Sequence, residues 1–143
     1  MKRQTAVLAA VVLIAGCSLL EDNGTERVIG EILTDSTMGP FLKTIIAPDS
    51  VNADSNLTIT INSFGSSSCT TPDGVEMTAT FTMVRVIPYD RVPTGARGCT
   101  ADFATRPHPV DIQFPSSGVL IIRAVGRVGP GLDSIEHTVH VRP

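Results

Sequence analysis

The chain has 143 residues, with 11 Lys or Arg against 14 Asp or Glu and a formal net charge of −3. This mildly acidic balance provides no basic patch of the kind that binds nucleic acid, so no nucleic-acid partner is expected. Trp is absent and Tyr occurs once, whereas Val, Ile and Thr are abundant and Gly and Pro are spread along the chain. β-Branched residues punctuated by Gly and Pro predict strands joined by turns, hence an all-β fold.

The first 16 residues have the layout of a secretory signal. Met1 to Arg3 is basic, residues 5–14 are almost all apolar, and Ala15 and Gly16 are small. This order predicts a helical signal peptide over residues 1–16 that is removed on export. Removal of its two basic residues leaves 9 basic against 14 acidic, a net charge of 9 − 14 = −5. Beyond it no apolar run approaches the roughly 20 residues that span a bilayer.

A cysteine stands directly after this segment. Ile14-Ala15-Gly16-Cys17 resembles the lipobox of bacterial lipoproteins, an aliphatic residue, a second residue and Gly or Ala before Cys. The resemblance implies that the Cys17 thiol carries diacylglycerol and that the freed amino group is acylated, for instance with palmitate. Several acyl chains would anchor the chain stably to a membrane. By the sorting preference of enterobacteria-like lipoproteins, Ser18 favours the outer membrane, facing the periplasm. An ordinary signal with a chance cysteine is the alternative.

Cys69 and Cys99 remain as an even pair in a chain that is expected to be exported. Oxidising compartments favour disulfides, so we predict that these two residues form a disulfide that closes a loop of about 30 residues. A redox role is disfavoured because the chain has no Cys-x-x-Cys motif. A metal site would need further ligands, which the sequence does not identify.

Alternating apolar and polar residues predict a β-sandwich domain over residues 28–143, after a polar, acidic tether over residues 17–27. The clearest alternation covers residues 57–64 and 75–87. Residues 88–109 contain four prolines and predict a long loop, because proline is excluded from central strands. Further candidate strands are 28–33, 44–47, 110–114, 119–125 and 135–141. About seven strands are expected, as in a β-sandwich.

Several structural motifs of residues 28–143 resemble bacterial immunoglobulin-like domains: "APDSV", the late "FPSSGVLIIRAVGR" and the closing "HTVHVRP". The pairing of "SFGSSSC" with a later "GCTADF" resembles in particular small, uncharacterised bacterial envelope lipoproteins. The resemblance implies an immunoglobulin-like β-sandwich and brings no activity with it. The Cys-Trp-Cys signature of antibody domains is missing because there is no Trp, so the strand order stays open.

The residues that carry chemistry form no catalytic or metal-binding pattern. His137 and His140 are three apart on a predicted strand, so they point to opposite faces and cannot readily share an ion. His108 lies between two prolines in the predicted loop. A copper site that combines it with Met77 or Met83 would suit the ligand types, but no spacing demands it. The serine-rich turn lacks a nucleophile elbow. We therefore expect a protein that is not an enzyme and has no cofactor.

Tyr89 and Arg91 are the candidate binding residues, because Tyr and Arg are common interface anchors and a disulfide-held loop loses little entropy on binding. The alternative is that Tyr89 covers the end of the sandwich and Arg91 pairs locally with an acid. The sequence thus favours a lipid-anchored envelope module with a structural or protein-interaction role and an envelope protein as its partner. An envelope carrier of a small ligand or metal, and an inhibitor of an exported protease, are the alternative functions.

Overall fold

The computed structural model describes residues 24–34, 42–95, 98–114 and 116–143. The predicted signal peptide, Cys17 and most of the predicted tether lie outside these ranges. Within them the chain forms nine strands and no helix, so the all-β prediction is confirmed and none of this part could cross a membrane as a helix. The strands are β1 (Thr25–Ile29), β2 (Ile45–Ile46), β3 (Ser50–Asn52), β4 (Ser55–Ser67), β5 (Thr71–Ala79), β6 (Met83–Pro93), β7 (Ala101–Phe114), β8 (Gly118–Val128) and β9 (Gly131–Arg142).

The strands form two sheets that pack face to face as a β-sandwich. The larger sheet has the order β1-β6-β8-β9-β3, with β5 also paired to β6, and the smaller sheet has the order β2-β4-β7. Strict alternation along β7 shows that one face of this strand turns to the core. The core draws on both sheets: Ile45, Ile59, Ile61, Val84, Val86, Val110, Ile112, Phe114, Leu120, Ile122, Ala124, Val139 and Val141.

The prediction of one long loop over residues 88–109 is wrong. β6 continues through Pro93 and β7 begins at Ala101, so only a short connection remains. Pro107 and Pro109 lie in β7, which is an edge strand of the smaller sheet. Proline is tolerated there because its missing N–H faces no neighbouring strand.

Pro88 lies inside β6 at the point where β6 changes partners along one side. β8 pairs with residues 83–86 and β1 pairs with residues 89–93, while β5 occupies the other side. The carbonyl of Pro88 accepts a hydrogen bond from the N–H of Gly30 (2.8 Å). A residue at the junction between two partner strands loses little stability by lacking an N–H. A proline is therefore tolerated at this point of a central strand.

Gly30 to Ile32 form a wedge that joins the two sheets. The wedge fills the gap between β6 and β8: the N–H of Ile32 donates to the carbonyl of Arg127 (2.9 Å), and the N–H of Arg127 donates to the carbonyl of Gly30 (2.9 Å). On its other side, the N–H of Phe64 in β4 donates to the carbonyl of Glu31 (2.8 Å). Because the Ile32 side chain is 1% exposed, the wedge is also anchored in the core.

Gly126→Ala in β8 is expected to lower the free energy of unfolding by about 2–3 kcal/mol, because the wedge leaves no room for a side chain. An added Cβ would lie 2.4 Å from Cγ2 of Ile32 and 2.8 Å from the carbonyl oxygen of Gly30. Urea unfolding measures the change. Gly131→Ala is the matched control, since nothing lies within 4 Å of a Cβ at that position. Equal stability of the two variants would contradict this close contact.

Candidate functional site

Three polar side chains form a buried cluster between the two sheets. Ser63 in β4 and His108 in β7 come from the smaller sheet, and Asp90 in β6 comes from the larger one; they are 0%, 1% and 2% exposed. Oγ of Ser63 lies 2.8 Å from Oδ1 of Asp90 and 3.0 Å from Nε2 of His108. Nε2 and Oδ1 are 3.2 Å apart. These three residue types also make up hydrolase triads, so their geometry needs a direct test.

The cluster does not have the geometry of a nucleophilic site. In a triad the serine and the carboxylate contact different nitrogens of the histidine. Here Ser63 and Asp90 both contact Nε2 of His108, and Nδ1 is buried without a hydrogen-bond partner. Since a carboxylate only accepts, the hydrogen-bond network assigns the Ser63 hydroxyl as a donor to Asp90 and the proton of the imidazole to Nε2. The hydroxyl proton therefore points to Asp90 and not to the histidine nitrogen that acts as the base in a triad.

The serine and the histidine are almost completely enclosed by the protein. Ser63 and His108 line none of the five principal surface cavities of the described residues, and Asp90 lines a single cavity of about 240 Å³. The hydrogen bonds from Ser63 and His108 to Asp90 link the smaller sheet to the larger one. The arrangement holds the two sheets together, because separating buried polar groups from their hydrogen-bond partners costs free energy.

The prediction that placed His108 in a rigid loop is wrong, and Ser63 was not singled out at all. The signal that could have found the cluster is the parity of the strands. Asp90 is four residues after the buried Val86 and shares its face, and His108 is four residues before the buried Ile112 and shares its face. A polar residue at a position that alternation assigns to the apolar face of a strand predicts a buried polar group, but only once the strand itself is recognised.

The end of the sandwich near β7's first residue is held by a disulfide and by an arginine. Cys69 and Cys99 form the predicted disulfide, with Cα atoms 5.6 Å apart. Arg106 is 5% exposed, and its guanidinium lies against Gly65, where a Cβ would be only 2.2 Å from Nη1. The guanidinium donates to three carbonyls and one carboxylate, those of Ser67, Thr70, Ala104 and Asp102. Such charge-assisted bonds fix the loop that carries the disulfide.

Tyr89 and Arg91 lie within β6 rather than in a loop. The hydroxyl of Tyr89 donates to the carboxylate of Glu76 (3.2 Å), and the guanidinium of Arg27 lies 3.6 Å from the centroid of its ring. Arg91 donates to Asp73 (2.9 Å), which also pairs with Arg27 (3.3 Å). Both side chains are therefore engaged by neighbours on the same sheet, and Arg91 pairs locally with an acid as the alternative interpretation had it.

The two histidines of β9 do not converge. His137 is half-buried, with Nε2 3.3 Å from the carbonyl of Pro48, whereas His140 is exposed. Among the residues that the structure describes, no group of three or more His, Cys, Asp and Glu is placed to hold a metal ion.

β5 departs most from the predicted burial. Val75, Met77, Ala79 and Phe81 were expected to face the core, but Met77 is 46% and Phe81 93% exposed. β5 is an edge strand of the larger sheet, and although β7 of the smaller sheet lies close to it, only Val75 of its apolar face packs against the core. We call the apolar face of Val75, Met77 and Ala79, together with the free backbone edge of the strand, the β5 surface.

A cavity of about 350 Å³ lies between β2 and β9. Its walls include Ile45, Ile46 and Ile135, with Lys43 and His137 among the polar lining residues, and its volume is at the lower end of the range for small-molecule sites. Comparison with known proteins assigns no ligand to it: no family model, curated protein or solved structure matches the chain. The function therefore has to be inferred from the chain's own residues.

Proposed function

We propose that the protein is a lipid-anchored, non-enzymatic module of the bacterial cell envelope, exported and held at the outer membrane on its periplasmic side. The observation that carries this proposal is the lipobox-like Ile14-Ala15-Gly16-Cys17 behind a basic and apolar start. The Cys69–Cys99 disulfide supports export, because such bonds persist mainly outside the cytoplasm. Ser18, in place of an aspartate, supports the outer membrane as the destination.

The proposed role is structural or protein-binding. The buried Ser63–Asp90–His108 cluster supports a scaffold over an enzyme, since its proton arrangement is wrong for a nucleophile. The partly exposed β5 surface supports contact with a protein. We include in the proposal that the sandwich is of the immunoglobulin-like type. Two facing sheets built mainly of antiparallel pairs favour this type, whereas the parallel β6–β8 and β3–β9 pairs depart from the antiparallel sheets of immunoglobulin domains.

A small-ligand carrier is the second candidate, and the cavity between β2 and β9 favours it. Native mass spectrometry of protein purified from its host would show a bound compound, and a mass equal to that of the lipidated chain alone would dispose of this candidate. The protease-inhibitor hypothesis depended on Tyr89 in an inserting loop. Because Tyr89 lies in β6, that hypothesis has lost its inserting element.

Cys17→Ser is expected to abolish lipid attachment. The full chain, expressed in a Gram-negative host with an alkyne-labelled fatty acid, should incorporate the label, lose residues 1–16 and fractionate with the outer membrane. Cys17→Ser should incorporate no label and keep the signal, because the serine hydroxyl is a much weaker nucleophile than the thiol. Ser18→Asp is the matched control for sorting: it should keep the label and move to the inner membrane. An unlabelled wild-type chain would refute the anchor.

A further inference from the structure

We propose that the β5 surface pairs with the same surface of a second copy of this chain, antiparallel and around a two-fold axis at Met77. The result is a homodimer in which the two larger sheets become one continuous sheet. The proposal concerns the folded domain and is independent of whether Cys17 carries lipid.

Residues 75–79 of β5 form an open edge of the larger sheet. An open edge invites pairing with another strand unless prolines, charges or shortness prevent it. The edge of β7 carries Pro107 and Pro109, that of β1 carries Glu26 and Arg27, and β2 and β3 have only two and three residues. Residues 75–79 contain no proline or glycine, carry a single charge at Glu76, and continue a sheet that already has six strands.

The N–H and C=O groups of Val75, Met77 and Ala79 point away from β6. Along an antiparallel ladder these groups turn to opposite sides at alternate residues, and residues directly opposite each other share the same state. The carbonyl of Pro88 faces away from β5, because it accepts the N–H of Gly30. Val75 is the register partner of Pro88, so its own N–H and C=O also face outward. The N–H and C=O groups of Met77 and Ala79 also face outward, because these residues lie two and four positions after Val75 on the same strand.

One register joins all three outward residues to a second copy. With the axis at Met77, this residue faces its own counterpart and Val75 faces Ala79, which makes three pairs that each exchange two hydrogen bonds. An axis at Glu76 would put two carboxylates directly opposite each other, which is destabilising. An axis at Thr78 would keep only two of the hydrogen-bonded pairs.

The side chains match in this register. The apolar side chains of the two β5 surfaces lie next to each other on one face, where they shield Met77. On the other face, Glu76 of one copy lies opposite Thr78 of the other, and Arg85 of β6 is next in that row because it pairs with Thr78. Arg85 has no ion pair within the described ranges. Two carboxylates and two guanidiniums thus balance across the axis.

Variants of the full chain with one added cysteine test the register. Met77→Cys should form a covalent dimer on a non-reducing gel after mild oxidation of cells, since opposed Cα atoms in such a pair are about 5.5 Å apart, within disulfide range. Val75→Cys is the matched control on the same strand and face. It should not cross-link to itself, because its counterpart lies about 13 Å along the strand, but it should cross-link when co-expressed with Ala79→Cys.

The mass of the detergent-solubilised chain is the second measurement. Wild type should be a dimer and Met77→Lys a monomer with an unchanged far-UV spectrum. Leu132→Lys in β9, where the side chain is 62% exposed, should remain a dimer. A monomeric wild type, or equal self-cross-linking of Val75→Cys and Met77→Cys, would overturn the proposal. Cross-linking of Met77→Cys to a different protein would also overturn it, since the β5 surface would then belong to another partner.

Discussion

Asp90→Ala is expected to lower the free energy of unfolding by about 3–4 kcal/mol, measured by urea unfolding. The carboxylate accepts hydrogen bonds from Ser63 and His108, all three being almost fully buried. Removal of the carboxylate leaves the buried donors of Ser63 and His108 without this acceptor, which costs roughly 1–3 kcal/mol for each unsatisfied group. It also leaves a small cavity. The loss should appear as a lower midpoint with an unchanged slope, since the surface exposed on unfolding stays the same.

Asp73→Ala is the matched control for Asp90→Ala. Asp73 also lies in the larger sheet and also has two partners, Arg27 and Arg91, but both arginine side chains are about half exposed. Surface ion pairs contribute about 0–1 kcal/mol, so this variant should be close to wild type. If the two variants lost the same stability, the buried cluster would not be what pins the sheets together.

Replacing the whole cluster provides a second check. The triple variant Ser63→Ala, Asp90→Leu, His108→Leu removes donors and acceptor together, so that no polar group is left without a partner. We expect it to recover part of the stability that Asp90→Ala loses, because the penalty comes mainly from unpaired buried groups. A triple variant less stable than Asp90→Ala would show that shape, rather than hydrogen bonding, dominates at this site.

Loss of the disulfide, in the double variant Cys69→Ala, Cys99→Ala, is expected to cost about 3–4 kcal/mol. The bond closes a loop with a sequence separation of 30, and in the chain-entropy model its removal frees the unfolded chain by that amount. The fold itself should persist, because Arg106 still binds the carbonyls of Ser67 and Thr70 on either side of position 69.

Reductant is the control for this experiment. Wild type unfolded in urea with reductant should move to the midpoint of the double variant, and the double variant should not respond. The same stability of wild type with and without reductant would contradict a stabilising disulfide. Arg106→Met in the double-variant background should then lower the stability further, since it removes the polar contacts that remain in the loop.

The sequence predicted those strands whose alternation of apolar and polar residues is clear without knowledge of the neighbouring strands. Residues 57–64 and 110–114 alternate cleanly and lie in β4 and β7, and the apolar run 119–125 lies in the central β8. It also predicted the Cys69–Cys99 pair, because the proposed assignment of Cys17 to lipid leaves two cysteines and one pairing. The structure begins β1 at Thr25, three residues earlier than the alternation indicated.

The candidate site could not be predicted in the same way, because it is made by three strands that are distant in the chain. Ser63, Asp90 and His108 meet only since β4 and β7 pair and face β6. His108 also lay in a segment whose prolines favoured a loop. That segment is a strand because its prolines face an open edge, and no local pattern reveals which edge of a sheet is open.

By itself, then, the sequence determined the all-β class and the disulfide partners, since these follow from composition, local alternation and the placement of the cysteines. Where burial depends on the order of the strands in the sheets, only the tertiary structure decided which residues are buried. It placed His108 and Asp90 inside, and it left Met77 outside although Met77 alternates like a core residue. The physical reason is that alternation gives each strand two faces, whereas burial depends on what packs over them, and β5 lies at the edge of the larger sheet, where only Val75 of that face packs against the core.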